Sequence, residues 1–272
     1  MKTITFVAYK RPSYTAEALR HLRECRGLEH FDLILISIDP GYNEVVSVCH
    51  EWAAGFPIEV RIRVNEEHLG VAGNPLRAYT TVVEDLGAEF NVALEDDALL
   101  SPDALEVALW FFRRHAANGR YAFLSLCDHY EYRGSGRNKG GVPEGPSLLA
   151  ETSNLSSPFA WCFAAPEWPF LKRHWNANTR SIGGWDWSIR FGMRIEGRVA
   201  LTPVLSRCRN IGEKDGTHDT PQTWADIQVG LNHSDGSYRG EYSIVNHVSD
   251  AEARMLYPWM IPELARVFGG RG

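Results

Sequence analysis

Cysteine pairs are missing from this sequence. Its five cysteines, Cys25, Cys49, Cys127, Cys162 and Cys208, are scattered, odd in number and nowhere spaced as CxxC. That argues against a structural zinc site or a disulfide framework, and it makes a reducing cytoplasm the expected setting. Long apolar stretches are missing too. No run approaches the roughly 18 residues that a membrane-spanning helix needs, and the chain enters Ile4-Thr5-Phe6-Val7-Ala8 without the layout of a signal peptide. There is no basic excess: 28 Lys and Arg face 34 Asp and Glu, for a formal charge of −6. That speaks against a nucleic-acid partner while leaving room for a local basic pocket. No repeat, low-complexity tract or linker divides the chain, and its histidines form no HExxH spacing. With 272 residues and 44% hydrophobic content, the chain can bury a core without staples, because chains near this size bury about 75% of their unfolded surface. One domain over residues 1–272 is expected.

What is present is an alternation of short apolar runs and helix-period segments. Strands are expected over residues 4–9, 33–39, 58–64, 90–94 and 121–126, with helices over 14–25, 45–52 and 74–86 and a further helix carrying Leu105, Ala108, Leu109 and Phe112. Such alternation implies βαβ units and an α/β fold with a mixed, mostly parallel central sheet flanked by helices. The second half is less regular. Residues 128–157 and 206–223 read as polar loops, 159–164 and 199–204 as strands, 185–193 as a short helix and 251–268 as a closing helix.

The most informative residues are three consecutive carboxylates, Glu95-Asp96-Asp97, ending the apolar run Phe90-Asn91-Val92-Ala93-Leu94. A strand through Val92 and Leu94 delivers them to the carboxyl edge of the sheet, where open α/β sheets bind ligands. Adjacent carboxylates repel, so the cluster demands solvent, a cation or hydrogen-bond donors. The purely structural reading is a solvated turn before a helix beginning near Ser101-Pro102-Asp103.

Other residues converge on the same edge. Asp39 ends the second strand, placed to accept hydrogen bonds from a base or ribose or simply to start a turn. Between Asn65 and Arg77, Gly70, Ala72 and Gly73 would let a ligand approach the backbone, and the helix start that follows favours anions. Arg77, one turn into that helix, is a candidate phosphate partner, whereas His68 alone reads as a surface histidine. Asp186, between Trp185 and Trp187, is either a helix-start carboxylate or a base whose apolar neighbours raise its pKa. Nine tryptophans are core fillers first, with a minority expected to line a sugar groove.

Taken in order, four features form a set: Tyr9-Lys10-Arg11-Pro12 after the first strand, Asp39, the segment from Asn65 through Gly70, Ala72, Gly73 and Asn74, and the acidic triplet. The set resembles a GT-A fold nucleotide-sugar glycosyltransferase. The Glu-Asp-Asp form of the acidic motif is similar to that of the N-acetylglucosaminyltransferase acting on glycoprotein N-glycans. Gly184-Trp185-Asp186-Trp187-Ser188-Ile189-Arg190 resembles that family's Trp-Asp-Asp-Trp segment, and Ser206-Arg207 with Gly212-Glu213-Lys214-Asp215-Gly216-Thr217-His218 resembles its later loop. The resemblance implies a nucleotide-sugar-binding half over residues 1–127 and an acceptor-binding half over 128–272. It places Asp39 and Asn74 near the base, Asp96 on the ribose and Asp97 on a divalent cation, Mn²⁺ or Mg²⁺, with Glu95 shaping the site. Asp186 would be the general base, with Trp185 and Trp187 toward the acceptor. The loop with Arg207 and Lys214 would close over the diphosphate, and His218 would be a second metal ligand. Trp187 departs from the family's second acidic residue.

The expected activity is inverting transfer of a hexosyl group from a nucleotide diphosphate sugar, UDP-linked, to a carbohydrate or other hydroxyl acceptor. A cation offsets the charge that develops on the leaving diphosphate, and a positioned carboxylate takes the acceptor's proton. Two alternatives remain open: a sugar nucleotidyltransferase, disfavoured because Ala8-Tyr9-Lys10-Arg11-Pro12 contains no glycine, and a carbohydrate-binding relative without turnover.

Overall fold

Leu33-Ile34-Leu35-Ile36-Ser37-Ile38 offers water no polar face, and every one of these residues is buried. A strand of this kind belongs between two helical layers. The computed structural model describes residues 1–116, 118–127, 145–153, 159–176, 184–212, 233–245, 247–256 and 261. In chain order its strands are β1 (Lys2–Ala8), β2 (Leu33–Ile38), β3 (Glu59–Val64), β4 (Phe90–Glu95), β5 (Ala98–Leu100), β6 (Tyr121–Ser125), β7 (Leu148–Thr152), β8 (Ala160–Ala164), β9 (Val199–Pro203), β10 (Cys208–Asn210) and β11 (Ser243–Val245). The helices are α1 (Pro12–Glu24), α2 (Asn43–Ala53), α3 (Gly70–Thr80), α4 (Ala104–His115), α5 (Trp168–Arg173), α6 (Trp185–Glu196) and α7 (Asp250–Ala253).

Nine strands form one mixed, mostly parallel sheet in the order β11-β7-β9-β6-β8-β4-β1-β2-β3, and β5 pairs with β10 in a separate ribbon. The block β4-β1-β2-β3 is wholly parallel, whereas β8 runs antiparallel to both β4 and β6. Strand residues alternate between two cores. Ile4, Phe6, Ile34, Ile36, Val92 and Leu94 meet α1, α2 and α4 on one face. Val7, Leu35, Ala93, Trp161 and Phe163 meet α3, α5 and α6 on the other. The fold is therefore α/β with helices on both sides of the sheet.

The structure departs from the sequence reading in four places. First, α3 begins at Gly70 rather than Asn74, because Gly70 takes φ +73°, a left-handed conformation that turns the chain directly into the helix. Second, β7 lies inside the stretch read as a loop. Its Glu151 is buried and takes hydrogen bonds from Arg120, Tyr121 and the Val248 N–H, partners invisible to a local pattern. Third, β5, β10 and β11, each of three residues, and the six-residue α5 are too short for periodicity to announce. Fourth, the expected closing helix stops at Ala253, four residues after it starts at a Ser249–Glu252 capping box. All five cysteines are buried free thiols. Among the described residues no helix is long and apolar enough to cross a membrane.

Most of the second-half tryptophans are core. Trp161, Trp168, Trp175 and Trp185 are buried, with the Trp175 and Trp185 rings stacked at 4.1 Å and 6° and Tyr79 edge-on to Trp161 at 5.8 Å. The opposite layer holds a buried ion pair. Arg207 and Asp103 both have 0% side-chain exposure, with Nε to Oδ2 at 3.1 Å, and Ser101 and Ser234 donate to the same carboxylate. Removing one member of such a pair strands the other charge in the core. Asp103→Ala should therefore cost about 3–5 kcal/mol in urea unfolding; a loss of about 1 kcal/mol or less, the surface-pair range, would show that the pair is not sealed.

Candidate active site

Because β1, β2 and β4 are parallel and in register, the residues that follow them meet at one edge. Tyr9, Lys10 and Arg11 lead from β1 into α1. Asp39 follows β2. Asp96 and Asp97 form the turn between β4 and β5. Pro12 opens α1 and fixes the backbone there, so Arg11 is held beside the acidic turn. Its guanidinium donates to Asp96 Oδ1 and lies 2.9 Å from Asp97 Oδ2. The Tyr9 N–H reaches Asp96 Oδ2 at 3.4 Å. The charge compensation that three adjacent carboxylates demand comes from Arg11, a residue the sequence reading had noted only as part of a motif.

The two aspartates are nearly sealed, at 4% and 6% exposure. Burial pushes Asp96 up to about 6, with Arg11 pulling against it. Burial raises Asp97 as well, opposed by Arg11 and by a hydrogen bond from Asn210. Glu95 is driven well above the usual carboxylate range by burial and then by Asp97 and Asp96. Arg11 itself keeps its proton more firmly than usual. Burial works against its charge, but Asp97 and Asp96 outweigh that.

The β5–β10 ribbon brings a late segment onto this turn. The Ile211 N–H donates to Asp97 O at 2.9 Å, and Gly212 passes so close that a Cβ there would sit 2.3 Å from Asp97 Oδ2. Asp97 Oδ1 is buried with no hydrogen-bond partner. An orphaned hard oxygen of this kind suits Mg²⁺ or Mn²⁺, which bind through one or two carboxylates and take their other ligands from phosphate and water. No group of three or more His, Cys, Asp or Glu able to hold a metal occurs among the described residues. His218 and Lys214 lie outside them.

Asp39 is committed to the protein. Its Oδ1 accepts from Asn65 Nδ2 at 2.9 Å and the Leu69 N–H at 3.2 Å. Its Oδ2 accepts from the Gly70 N–H at 2.7 Å and faces His68 Nδ1 at 3.0 Å. A carboxylate offers about four lone-pair sites, and these are all used. Asn74 is likewise a buried lock, accepting from Ser37 Oγ at 2.6 Å and Asn65 Nδ2 at 3.0 Å and donating to the Ser37 carbonyl. Instead of facing a base, Asp39 and Asn74 pin the entry to α3 against the end of β2. What they place at the surface is an aromatic group: Tyr9 packs on half-exposed His68 at 4.4 Å and edge-on to Tyr42 at 5.1 Å.

Across the sheet, Asp186 sits in the first turn of α6. Glu95 shares the face of Ala93 and Val7, the side of the sheet that α6 covers, and the Asp186 charge contributes to its raised pKa. The turn thus splits its carboxylates: Glu95 toward Asp186, Asp96 and Asp97 toward Arg11. Trp187 lies under the Arg190 guanidinium at 4.6 Å.

Three expected site residues are elsewhere. Trp185 is buried against Trp175, so its ring shows no face to an acceptor. Arg207, expected in a closing loop, is the fully buried partner of Asp103. Arg77 is exposed and lines a cavity of about 530 Å³ with Arg63, Leu69, Gly73, Leu76, Thr80, Thr81 and Asp85, on the flank of α3.

No family model and no curated protein matches the sequence. Solved structures do match. The mannosyltransferase PcManGT from Pyrobaculum calidifontis, in complex with GDP-Man and Mn²⁺, superposes with a TM-score of 0.54 at 17% identity, covering 74% of this chain and 54% of that one. S. aureus TarS 1-349, in complex with UDP-GlcNAc, gives 0.52 at 15% identity, covering 84% and 64%. The chain thus spans about half to two thirds of these longer proteins. At such identity the likeness is one of fold, and that fold is GT-A.

If Asp39 organises the α3 entry, Asp39→Ala should free the Leu69 and Gly70 amides. Their hydrogen exchange should accelerate about tenfold or more, the factor for about 1.4 kcal/mol of lost local stability. Unchanged protection at both amides would show that the entry stands without the carboxylate.

Proposed function

We propose that the protein is an inverting glycosyltransferase that moves a sugar from a nucleoside diphosphate donor, UDP-linked, to a hydroxyl acceptor with the help of a divalent cation. The observation that carries the reading is the division of one acidic turn between two sides of a sheet edge. Asp96 and Asp97 are buried beside Arg11, and Glu95 is turned toward Asp186. A cation-binding pair for the leaving diphosphate and a proton-accepting pair for the attacking hydroxyl need this separation. Two solved structures of the same fold carry nucleotide sugars, GDP-Man with Mn²⁺ in one and UDP-GlcNAc in the other, which supports a donor of that class. The narrower likeness to the N-glycan N-acetylglucosaminyltransferase rests on the Glu95-Asp96-Asp97 motif and the segment around Asp186.

In this reading Asp97 holds the cation through its orphaned Oδ1. When bound, that ion supplies charge stabilisation for the departing diphosphate. The base lies at the aromatic group of Tyr9, His68 and Tyr42, whose positions Asp39 and Asn65 set. Asp186 accepts the acceptor's proton; its place in the first turn of α6 favours the carboxylate form a base requires. Glu95, held above the usual range, is protonated under conditions where Asp186 is not, so the two do not repel as a pair of full charges. Displacement in one step needs no enzyme nucleophile and inverts the anomeric centre.

Incubation with UDP-sugars and Mn²⁺, with and without EDTA, tests the reading. Metal-dependent release of UDP is expected, whereas release of pyrophosphate would point to nucleotidyl transfer and overturn it. Asp186→Asn should lower kcat by about 100-fold or more with KM little changed, the signature of a lost general base. A rise in acceptor KM alone would make Asp186 a binding residue. Asp97→Ala should abolish metal-dependent turnover while the circular dichroism spectrum is retained, and undiminished turnover would remove Asp97 from the site.

A further inference from the structure

The acidic turn has no open oxygen through which a hydrated cation could enter. Asp96 Oδ1 is taken by Arg11 and Oδ2 by the Tyr9 N–H. Asp97 Oδ2 lies between the Arg11 guanidinium at 2.9 Å and the Gly212 backbone. Asp97 Oδ1 is without a partner and also without contact with solvent. A divalent ion sits about 2.0–2.6 Å from its carboxylate oxygens, so something must leave before it can bind. The Tyr9 and Ile211 amides are backbone, fixed by the strand end and by the β5–β10 ribbon. Arg11 is a long, flexible side chain at the surface end of α1, 16% exposed, whose backbone Pro12 anchors independently of where the guanidinium goes. It also has a second resting place: its guanidinium lies 5.4 Å from the centre of the Tyr14 ring, one turn along α1, where a cation–π contact survives once the carboxylates are given up.

We infer that Arg11 and the divalent cation are alternative occupants of the Asp96–Asp97 pair: Arg11 is a resident counter-ion that closes the empty site and swings toward Tyr14 when the metal arrives. The inference rests on the proposed cation at Asp97. It goes beyond that reading by assigning to Arg11 a competition the metal must win. The exchange conserves charge in kind. The buried carboxylates are compensated by Arg11 before and by the metal after, and at no stage are they left bare. It also sets the apparent metal affinity, because an ion that binds only the open state has its affinity reduced by the fraction of molecules in which Arg11 is out. A donor that brings its own diphosphate ligands to the metal shifts the balance further, so loading of cation and nucleotide becomes cooperative.

The test is metal binding to the nucleotide-free protein, independent of turnover. Titration calorimetry with Mn²⁺ should give R11Q an affinity higher than wild type by about tenfold or more, the factor expected if Arg11 is out in about a tenth of molecules or fewer. R11K keeps the charge but loses the two-pronged hold, so it should fall between them. If R11K binds as wild type does and only R11Q differs, the effect is through-space charge and exchange is overturned. Equal or weaker Mn²⁺ binding by R11Q overturns it as well. A second readout uses the wild-type protein alone, should R11Q not fold. The Arg11 guanidinium nitrogen resonances, assigned by their loss in R11K, should move toward the values of a free arginine during a Mg²⁺ titration. Their midpoint should match that of Mg²⁺ calorimetry. Resonances that stay put while Mg²⁺ binds would show that ion and guanidinium coexist. Failure of wild type and both variants to bind any divalent ion, with or without UDP, would instead remove the metal itself, a different failure from that of the exchange.

Discussion

The Arg11 guanidinium, wedged against Asp96 and Asp97, is the contact on which the carboxyl edge of this sheet depends. Two unit charges about 4 Å apart repel by roughly 4 kcal/mol at an effective dielectric near 20, and residues 95–97 bring three acids together. The protein copes in two ways. Strand alternation sends Glu95 to the face of α3 and α6, and burial there holds it toward the neutral form. Asp96 and Asp97 go to the other side, where the first residues after β1 deliver a cation. Parallel register makes this delivery automatic, since Val7 pairs with Glu95 and places the β1 exit beside the β4 exit.

Much of the first half was legible in the sequence because its elements are long and periodic. The run from Leu33 to Ile38 is apolar on both faces and is covered on both. The alternation of strands and helices foretold βαβ units, and β1, β2, β3 and β4 form one parallel block. Legibility failed where stability comes from distant partners. Glu151 in the middle of β7 looks like a loop residue until Arg120, Tyr121 and Val248 are seen around it. Asp103 looks like a helix cap and Arg207 like a phosphate ligand, yet they neutralise one another in the core. No local pattern reveals that a charge at position 207 is meant for one at position 103.

The site was legible in its chemistry more than in its assignments. The acidic turn stands at the expected edge, and Asp186 opens a helix on the same side as Glu95. The polar residues marked for the base, Asp39 and Asn74, turned out to be buried scaffolding, because a carboxylate at a strand end can satisfy loop amides as readily as a ligand. Conversely Arg11, Tyr9 and His68 were underrated. Each is unremarkable alone and becomes functional surface only when the folds of β1, β2 and α3 bring them together. The one signal available was arithmetic: an acidic triplet at a buried strand end must have a cation near it, and the arginine closest along the neighbouring strand is Arg11.

The antiparallel strand β8 sits between β4 and β6, and it arrives late in the chain. Ribosomal synthesis therefore exposes the central edge of the sheet for some time, with β4 finished and its neighbour not yet made. A fragment ending near residue 127 would keep that edge bare and leave Asp103 without Arg207. The donor-binding segment is consequently not a module that can be excised, grafted or expressed by itself, and recombination within this fold must carry β8 and β10 along with the acidic turn they complete.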